Sequence, residues 1–526
     1  MVPTLSPAEV RARLRSGAEI AFLDVREEGP YSRGQPLFAV NLPLGRIEER
    51  VAALVPRRSV PVALFDADDG GGEGLAGRAA ARLALLGYTD VAAVEGGLAG
   101  WRAAGGEVFR DVGVPSKAFG EWVEAHRHTP MIDADDLAGL IAAGSDVRIF
   151  DSRPFDEYRV MTIPGAVNCP GAELVRRVPA PDLSPGTLVV VTCAGRTRSI
   201  IGAQSLINAG LSNPVRALRN GTIGWTLAGR SLELGATRRA PAPGETGWSR
   251  AAAHRVAGRA GVRFIDRAGL ARLETEADVR TLYRFDVRAP EEVLRGHASA
   301  FAPVPGGQLV QATDEHVGVR GARLVLADGD GVAAAMTASW LRQMGWDEVF
   351  VLEDGLAGLI DRDTPWRPPR AAPAPDADEI GTAELEALLA AQAVTVADLA
   401  LSPVYRAGHV PGAWFAARWR LARDLAVMPG RGPVVLTSPD GTLARWAAAE
   451  AGRPVRVLAG GTAAWSASGR PLERGGWPCA SEPDDVYRRP YEGTDNSEAA
   501  MRGYIAWELG LVGQICRDGT AAFRPV

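Results

Sequence analysis

Cys193, in the run Cys193-Ala194-Gly195-Arg196-Thr197-Arg198-Ser199, is the residue of this chain best placed to do chemistry. A thiolate is a soft, strong nucleophile, and positive potential around a thiol is what produces one at neutral pH. Arg196 and Arg198 follow within five residues. Ahead of the cysteine stands Leu188-Val189-Val190-Val191-Thr192, an unbroken apolar run of the kind that is buried on both faces of a sheet. Behind it, Ile200 to Ala209 has the composition of a helix. The cysteine therefore falls at a strand-to-helix turn. There the peptide N–H groups of 194–199 curl around the sulfur, and the positive end of the helix dipole points at it. The expectation is a lowered thiol pKa and a site able to hold a thiolate or an anionic persulfide. The bland alternative is a core thiol acting as a small hydrophobe, for which a glycine and two arginines are a poor setting.

The other candidates are weaker. Cys169, Cys479 and Cys516 are too few and too scattered for a disulfide framework or a paired-cysteine metal site. Cys169, in Asn168-Cys169-Pro170, is read as a core filler, with a resolving thiol as the alternative. His126, His128, His297 and His409 lack metal-ligand spacing. The acidic turns at Asp66 to Gly70 and Asp328 to Gly331 resemble the start of a calcium loop, but Gly77 and Ser339 stand where its closing Glu belongs. No metal and no cofactor are expected. A net charge of −5 over 526 residues carries no signal for nucleic acid, and Lys117 is the only lysine. No apolar run reaches the roughly 18 residues of a membrane span, and Met1 to Arg15 reads as a first amphipathic helix instead of a leader. A reducing cytoplasm fits the cysteine usage.

The elements that must position Cys193 recur along the chain. A strand ending in Asp-x-Arg occurs at Asp24-Val25-Arg26, Asp151-Ser152-Arg153 and Asp286-Val287-Arg288, with a fourth copy at Asp398 that has lost its Arg. Asp151 and Cys193 lie 42 positions apart, and the same step leads from Asp24 to Asp66 and from Asp286 to Asp328. In the fourth copy, Asp398 is followed 40 positions on by Ser438. A second landmark is a Gly with a large apolar residue four positions later: Gly97 and Trp101, Gly221 and Trp225, Gly355 and Leu359, Gly461 and Trp465. Repeats at this period, with strands alternating with helical stretches, predict parallel α/β units with helices on both faces. Such sheets carry their ligand loops at the carboxyl ends of the strands. Breaks at Val114-Pro115, Arg239 to Thr246 and Arg367 to Pro375 give units of 1–114, 115–240, 241–370 and 371–474. A tail, 475–526, holds a helix over 497–512 with Met501, Tyr504, Ile505, Glu508, Leu509 and Val512 on one face, read as docking on the units, with a dimerisation element as the alternative.

The Cys193-to-Arg198 turn resembles the active-site loop of the rhodanese family of sulfurtransferases. So does Gly408-His409-Val410-Pro411-Gly412-Ala413, a turn of that family that is partial at Ile163-Pro164-Gly165-Ala166. The loop of the thiosulfate-type members has an Arg where this chain has Ala194. The resemblance implies four tandem rhodanese-like domains, one catalytic at Cys193 and three silent at Asp66, Asp328 and Ser438. It implies an enzyme that takes sulfane sulfur from thiosulfate or a low-molecular-weight persulfide through a Cys193 persulfide. The sulfur then passes to a thiol, cyanide or a protein acceptor. Ala194, Gly195, Arg196, Thr197, Arg198 and Ser199 would hold the substrate, with the two guanidinium groups on its anionic end. Asp151 and Arg153, which recur in the silent units, are expected as a supporting pair. The rival expectation is a non-enzymatic sulfur carrier or scaffold whose silent units bind partners.

Overall fold

The computed structural model of the chain describes residues 2–67, 74–178, 183–243, 247–430 and 432–526. Part of the acidic turn after Asp66 and the end of the Arg239–Thr246 break lie outside these residues.

The expected repetition is present as four parallel sheets with one strand order. In the second unit the strands run Met131–Ile132, Val215–Leu218, Leu188–Thr192, Val147–Asp151, Val167–Asn168 across the sheet. The first, third and fourth units repeat that order around Val62–Phe65, Arg323–Ala327 and Val434–Thr437. In every case the strand that leads to the nucleophile position is the central one. Both its faces are covered, which is why it reads as an unbroken apolar run.

The landmark glycines have a geometric cause. Gly221 has a φ of +53°, and a Cβ there would stand 2.8 Å from the Gly195 carbonyl oxygen and 2.9 Å from the Ala194 carbonyl carbon. The next residue, Thr222, donates its N–H to the Cys193 carbonyl at 2.9 Å. The same bond recurs from Leu98 to Asp66 (3.1 Å), Leu356 to Asp328 (3.1 Å) and Thr462 to Ser438 (3.0 Å). Only a residue without a side chain can bring the following helix this close to the turn. The tryptophan four positions on closes the unit: Trp101, Trp225 and Trp465 each donate the indole N–H to a carbonyl six residues later, at 2.8–2.9 Å.

The units are not beads on a string. Val319–Arg320 of the third unit pairs antiparallel with Ile20–Ala21 at the edge of the first sheet. The second unit meets the third through Trp340, whose indole donates to the Ser205 hydroxyl at 2.8 Å and whose ring packs edge-on against Phe119. One continuous core joins Leu64, Val191, Ile201, Leu206, Leu324 and Met336 from three units. The fourth joins the first through Arg418, bidentate on Glu48 at 2.7 and 2.9 Å. Among the described residues no helix is long and apolar enough to cross a membrane.

This shared core sets an expectation for the excised second unit. A fragment of residues 115–240 would expose Phe119 and the Ile201 face, each large side chain forfeiting roughly 1.5–3 kcal/mol of burial. Its denaturant midpoint should fall well below that of the full chain. A fragment that unfolds cooperatively at the full-length midpoint would show that the contacts between units contribute nothing to its stability.

The tail helix is longer than its apolar spacing predicts, Glu498–Asp518, and its packed face differs. Met501, Tyr504, Ile505 and Glu508 are buried as expected. Leu511, Ile515 and Asp518 take the place of Leu509 and Val512, and Leu509 is 55% exposed. The helix serves two cores: Met501, Tyr504 and Ile505 pack on Ile223 of the second unit, whereas Leu511 and Ile515 enter the core of the first.

Candidate active site

Cys193 follows the central strand of the second sheet, and the helix Thr197–Ala209 begins four residues later. Ser199, in the first turn of that helix, favours the charged form of the sulfur. In the third and fourth units the N–H six positions beyond the equivalent residue meets its side chain. Ala334 donates to Asp328 at 3.1 Å, joined there by Gly331 at 2.5 Å, and Ala444 donates to the Ser438 hydroxyl at 3.3 Å. In the first unit, where the turn is longer, Ala76 donates to Asp66 at 2.8 Å. The acidic side chains thus occupy the cradle that holds sulfur in the second unit.

The electrostatics depart from the sequence expectation. Burial pushes the Cys193 thiol up, while Arg198 and then Ser199 pull it down without reversing the direction. Cys193 is only 2% exposed. Both neighbouring arginines carry carboxylate partners that sequence reasoning did not find. Arg196 is bidentate on Glu121 at 2.7 and 2.8 Å and reaches Asn220 at 3.1 Å. Arg198 is bidentate on Glu157, both bonds at 2.8 Å. Burial raises Glu157, but the charge and hydrogen bonds of Arg198 outweigh it and leave the carboxyl below its ordinary range. Of the two pairs, Arg198–Glu157 is the more open, Glu157 having 36% of its side chain exposed against 2% for Glu121.

The remaining residues of the run are distributed simply. The Ala194 carbonyl accepts from the Ile223 N–H at 3.0 Å and the Thr222 hydroxyl at 3.3 Å. Gly195 faces the tail, and the Thr197 hydroxyl lies 3.5 Å from Glu508. Ser199 donates its hydroxyl to the Arg196 carbonyl at 2.8 Å, closing the turn. Asp151 and Arg153 form a buried bidentate pair, 2.9 and 2.7 Å, with Arg153 also on the Met161 carbonyl at 2.5 Å. Asp24–Arg26 and Asp286–Arg288 repeat the pair in the first and third units, down to a carbonyl eight residues on. Cys169 is fully buried in the shared core, and burial pushes its thiol up.

The tail completes the site. Lys117, on the helix Val114–Arg127, is 2% exposed, 2.6 Å from Asp111, and its ammonium lies 5.4–5.5 Å from the rings of Tyr491, Tyr504 and Trp507. The only lysine of the chain is therefore the cation that three tail aromatics enclose. This arrangement brings Tyr504 and Glu508 against the Cys193 turn. The only trace of it in the sequence was Tyr504 and Glu508 on one face of the tail helix.

A family model described as "Rhodanese-like domain" matches residues 6–104, 133–228 and 381–468. The match leaves the third unit unassigned, although its sheet has the same strand order. Among solved structures, the chain is similar to a thiosulfate sulfurtransferase from Pseudomonas aeruginosa. The two are 52% identical with a TM-score of 0.95, and the similarity covers 100% of both chains. Among curated proteins, it is 33% identical over 91 residues to the HTH-type transcriptional regulator Rv0324 of Mycobacterium tuberculosis H37Rv. That match covers 17% of this chain and 39% of the regulator.

Proposed function

This chain belongs to the rhodanese-like domain family and is a rhodanese-type sulfurtransferase, and from that premise we propose that sulfur passes through a persulfide on Cys193. One observation carries the reading. Four central strands in one chain lead to Asp66, Cys193, Asp328 and Ser438, and in the first, third and fourth units a peptide N–H from the start of the following helix meets that side chain. Of these side chains only the thiolate attacks a sulfane sulfur efficiently. The other three units are accordingly silent and serve the fold.

In the first half-reaction the Cys193 thiolate forms a bond to the outer sulfur of thiosulfate. The sulfur–sulfur bond of the donor breaks, and sulfite leaves with the electron pair. With a low-molecular-weight persulfide the leaving group is a thiolate. In the second half-reaction a thiolate, cyanide or a protein thiol attacks the outer sulfur on Cys193, and the bond breaks back to the Cys193 thiolate. Once the thiol has lost its proton, negative charge stays on sulfur at the turn through both half-reactions, favoured by the start of the helix Thr197–Ala209. Arg198 takes the anionic end of the donor, sharing its guanidinium with the half-open Glu157. Arg196, committed to Glu121, ties the turn to the preceding helix, and Asp151 with Arg153 fixes the strand end beneath it.

Thiosulfate is favoured as donor by Arg198, the guanidinium of the more open of the two ion pairs, and by the name of the Pseudomonas aeruginosa enzyme. The test compares kcat/KM for thiosulfate, glutathione persulfide and 3-mercaptopyruvate. A charge-assisted hydrogen bond contributes roughly 1.5–3 kcal/mol, so Arg198→Ala should lower kcat/KM for thiosulfate by about tenfold or more. A clear preference for 3-mercaptopyruvate, or indifference to Arg198→Ala, would overturn the donor assignment.

A further inference from the structure

The tail sets a buried carboxyl against the Cys193 turn from outside the repeated units. Glu508 is 1% exposed. Its Oε1 accepts from the Tyr504 hydroxyl at 2.8 Å and from the Thr197 hydroxyl at 3.5 Å. Its Oε2 has no hydrogen-bond partner among the described residues. That unpartnered oxygen faces the turn, since a Cβ on Gly195 would stand 3.1 Å from it. A buried carboxylate oxygen without a donor is strongly disfavoured in the ionised form.

The groups around it come from three elements. Lys117 and Glu121 lie on the helix Val114–Arg127, Arg196 on the turn, and Tyr504 one turn back on the tail helix. Burial first, and Glu121 second, push the Glu508 carboxyl up to about 7, against the pull of Lys117, Tyr504 and Arg196. Asp111 and Tyr491 stand behind Lys117 and Tyr504. Ionised Glu508 also pushes the Cys193 thiol up, as the smallest of the influences on it, after burial, Arg198 and Ser199.

We propose that Glu508 sets the charge on the Cys193 sulfur. Protonated, its Oε2 can donate a hydrogen bond into the turn; ionised, it repels both the sulfur anion and an incoming dianionic donor. Its role in turnover rests on the persulfide reading above, but its effect on the free thiol does not. It is a charge-setting residue, contributed from outside the sheet that holds the nucleophile.

The free thiol therefore gives the decisive measurement. Iodoacetamide alkylation of the full-length protein is followed at the Cys193 peptide between about pH 5.5 and 9. In the wild type the rate should follow two coupled ionisations, one of them near pH 7. Removing a like charge lowers the thiol pKa, and one pKa unit is a tenfold change in thiolate. Glu508→Gln should thus alkylate at the wild-type rate near pH 6, where the carboxyl is already neutral, and up to several-fold faster near pH 8. Glu508→Asp, which keeps the charge, should restore the wild-type limb. A residue that merely plugs the site predicts faster alkylation at every pH, and that result would overturn the proposal. So would a wild-type profile with a single ionisation, a test that needs no variant. Failure of wild-type Cys193 to load sulfur would remove the persulfide reading while leaving the alkylation result to stand.

Discussion

On the proposed persulfide mechanism, replacing Cys193 by serine should abolish sulfur loading and cut turnover by roughly a thousandfold or more, since the covalent intermediate would lose its nucleophile. The fold should hardly notice. Ser438 already places a hydroxyl in the equivalent cradle of the fourth unit, where it accepts from the Ala444 N–H at 3.3 Å. Intact mass after treatment with thiosulfate should show one added sulfur in the wild type and none in Cys193→Ser. Serine variants of Cys169, Cys479 and Cys516 should load normally. Cys169 is sealed in the core with its thiol pushed up by burial. Cys516 is exposed on the tail helix, and Cys479 donates its thiol to the Gly476 carbonyl at 2.9 Å. Neither lies at the start of a helix. Loading that survives Cys193→Ser would end the single-site reading.

The architecture was legible in the sequence because each landmark has a local cause. The Asp-x-Arg strand ends mark a bidentate pair two residues apart, and Gly221 with its equivalents marks a backbone contact that excludes a side chain. Such constraints act over a few residues, so they repeat as motifs. The third unit shows their reach, since Asp286, Asp328 and Gly355 lead to its sheet although the family model leaves it unmatched.

The electrostatics of the site were not legible, for an equally physical reason. Glu121 lies 75 residues from Arg196, and Glu157 lies 41 from Arg198. Neither spacing is a motif. Two arginines beside a cysteine suggested a strongly cationic turn; the folded chain neutralises much of that charge and buries the thiol, so its pKa moves up instead of down. The tail is the second omission. Its periodicity identified a helix and half of its packed face, but a helix docking on two units at once shifts its buried stripe along its length. Leu511 and Ile515 follow the first unit where Leu509 and Val512 had been expected.

Gly221→Ala should be the most damaging substitution that leaves every chemical group of the site in place. At a φ of +53° a side chain strains the backbone by about 1–2 kcal/mol. The new Cβ would also press on the Cys193 carbonyl and stand 2.8 Å from that of Gly195. These are backbone atoms, so the turn itself must move. Overpacking of this kind adds roughly 1–3 kcal/mol. A displacement of about 1 Å at a reacting centre can cost on the order of a hundredfold in rate, and the carbonyl being pushed belongs to the nucleophile. The third unit supplies the control. Gly355, at a φ of +56°, would meet the Asp328 carbonyl at 2.7 Å, so Gly355→Ala carries a comparable strain in a unit without a nucleophile. Both variants should lower the denaturation midpoint. Only Gly221→Ala should lower kcat for sulfur transfer by about a hundredfold when both are assayed well below their midpoints. Equal losses of activity would mean that the rate follows global stability, and the geometric account of the turn would fail.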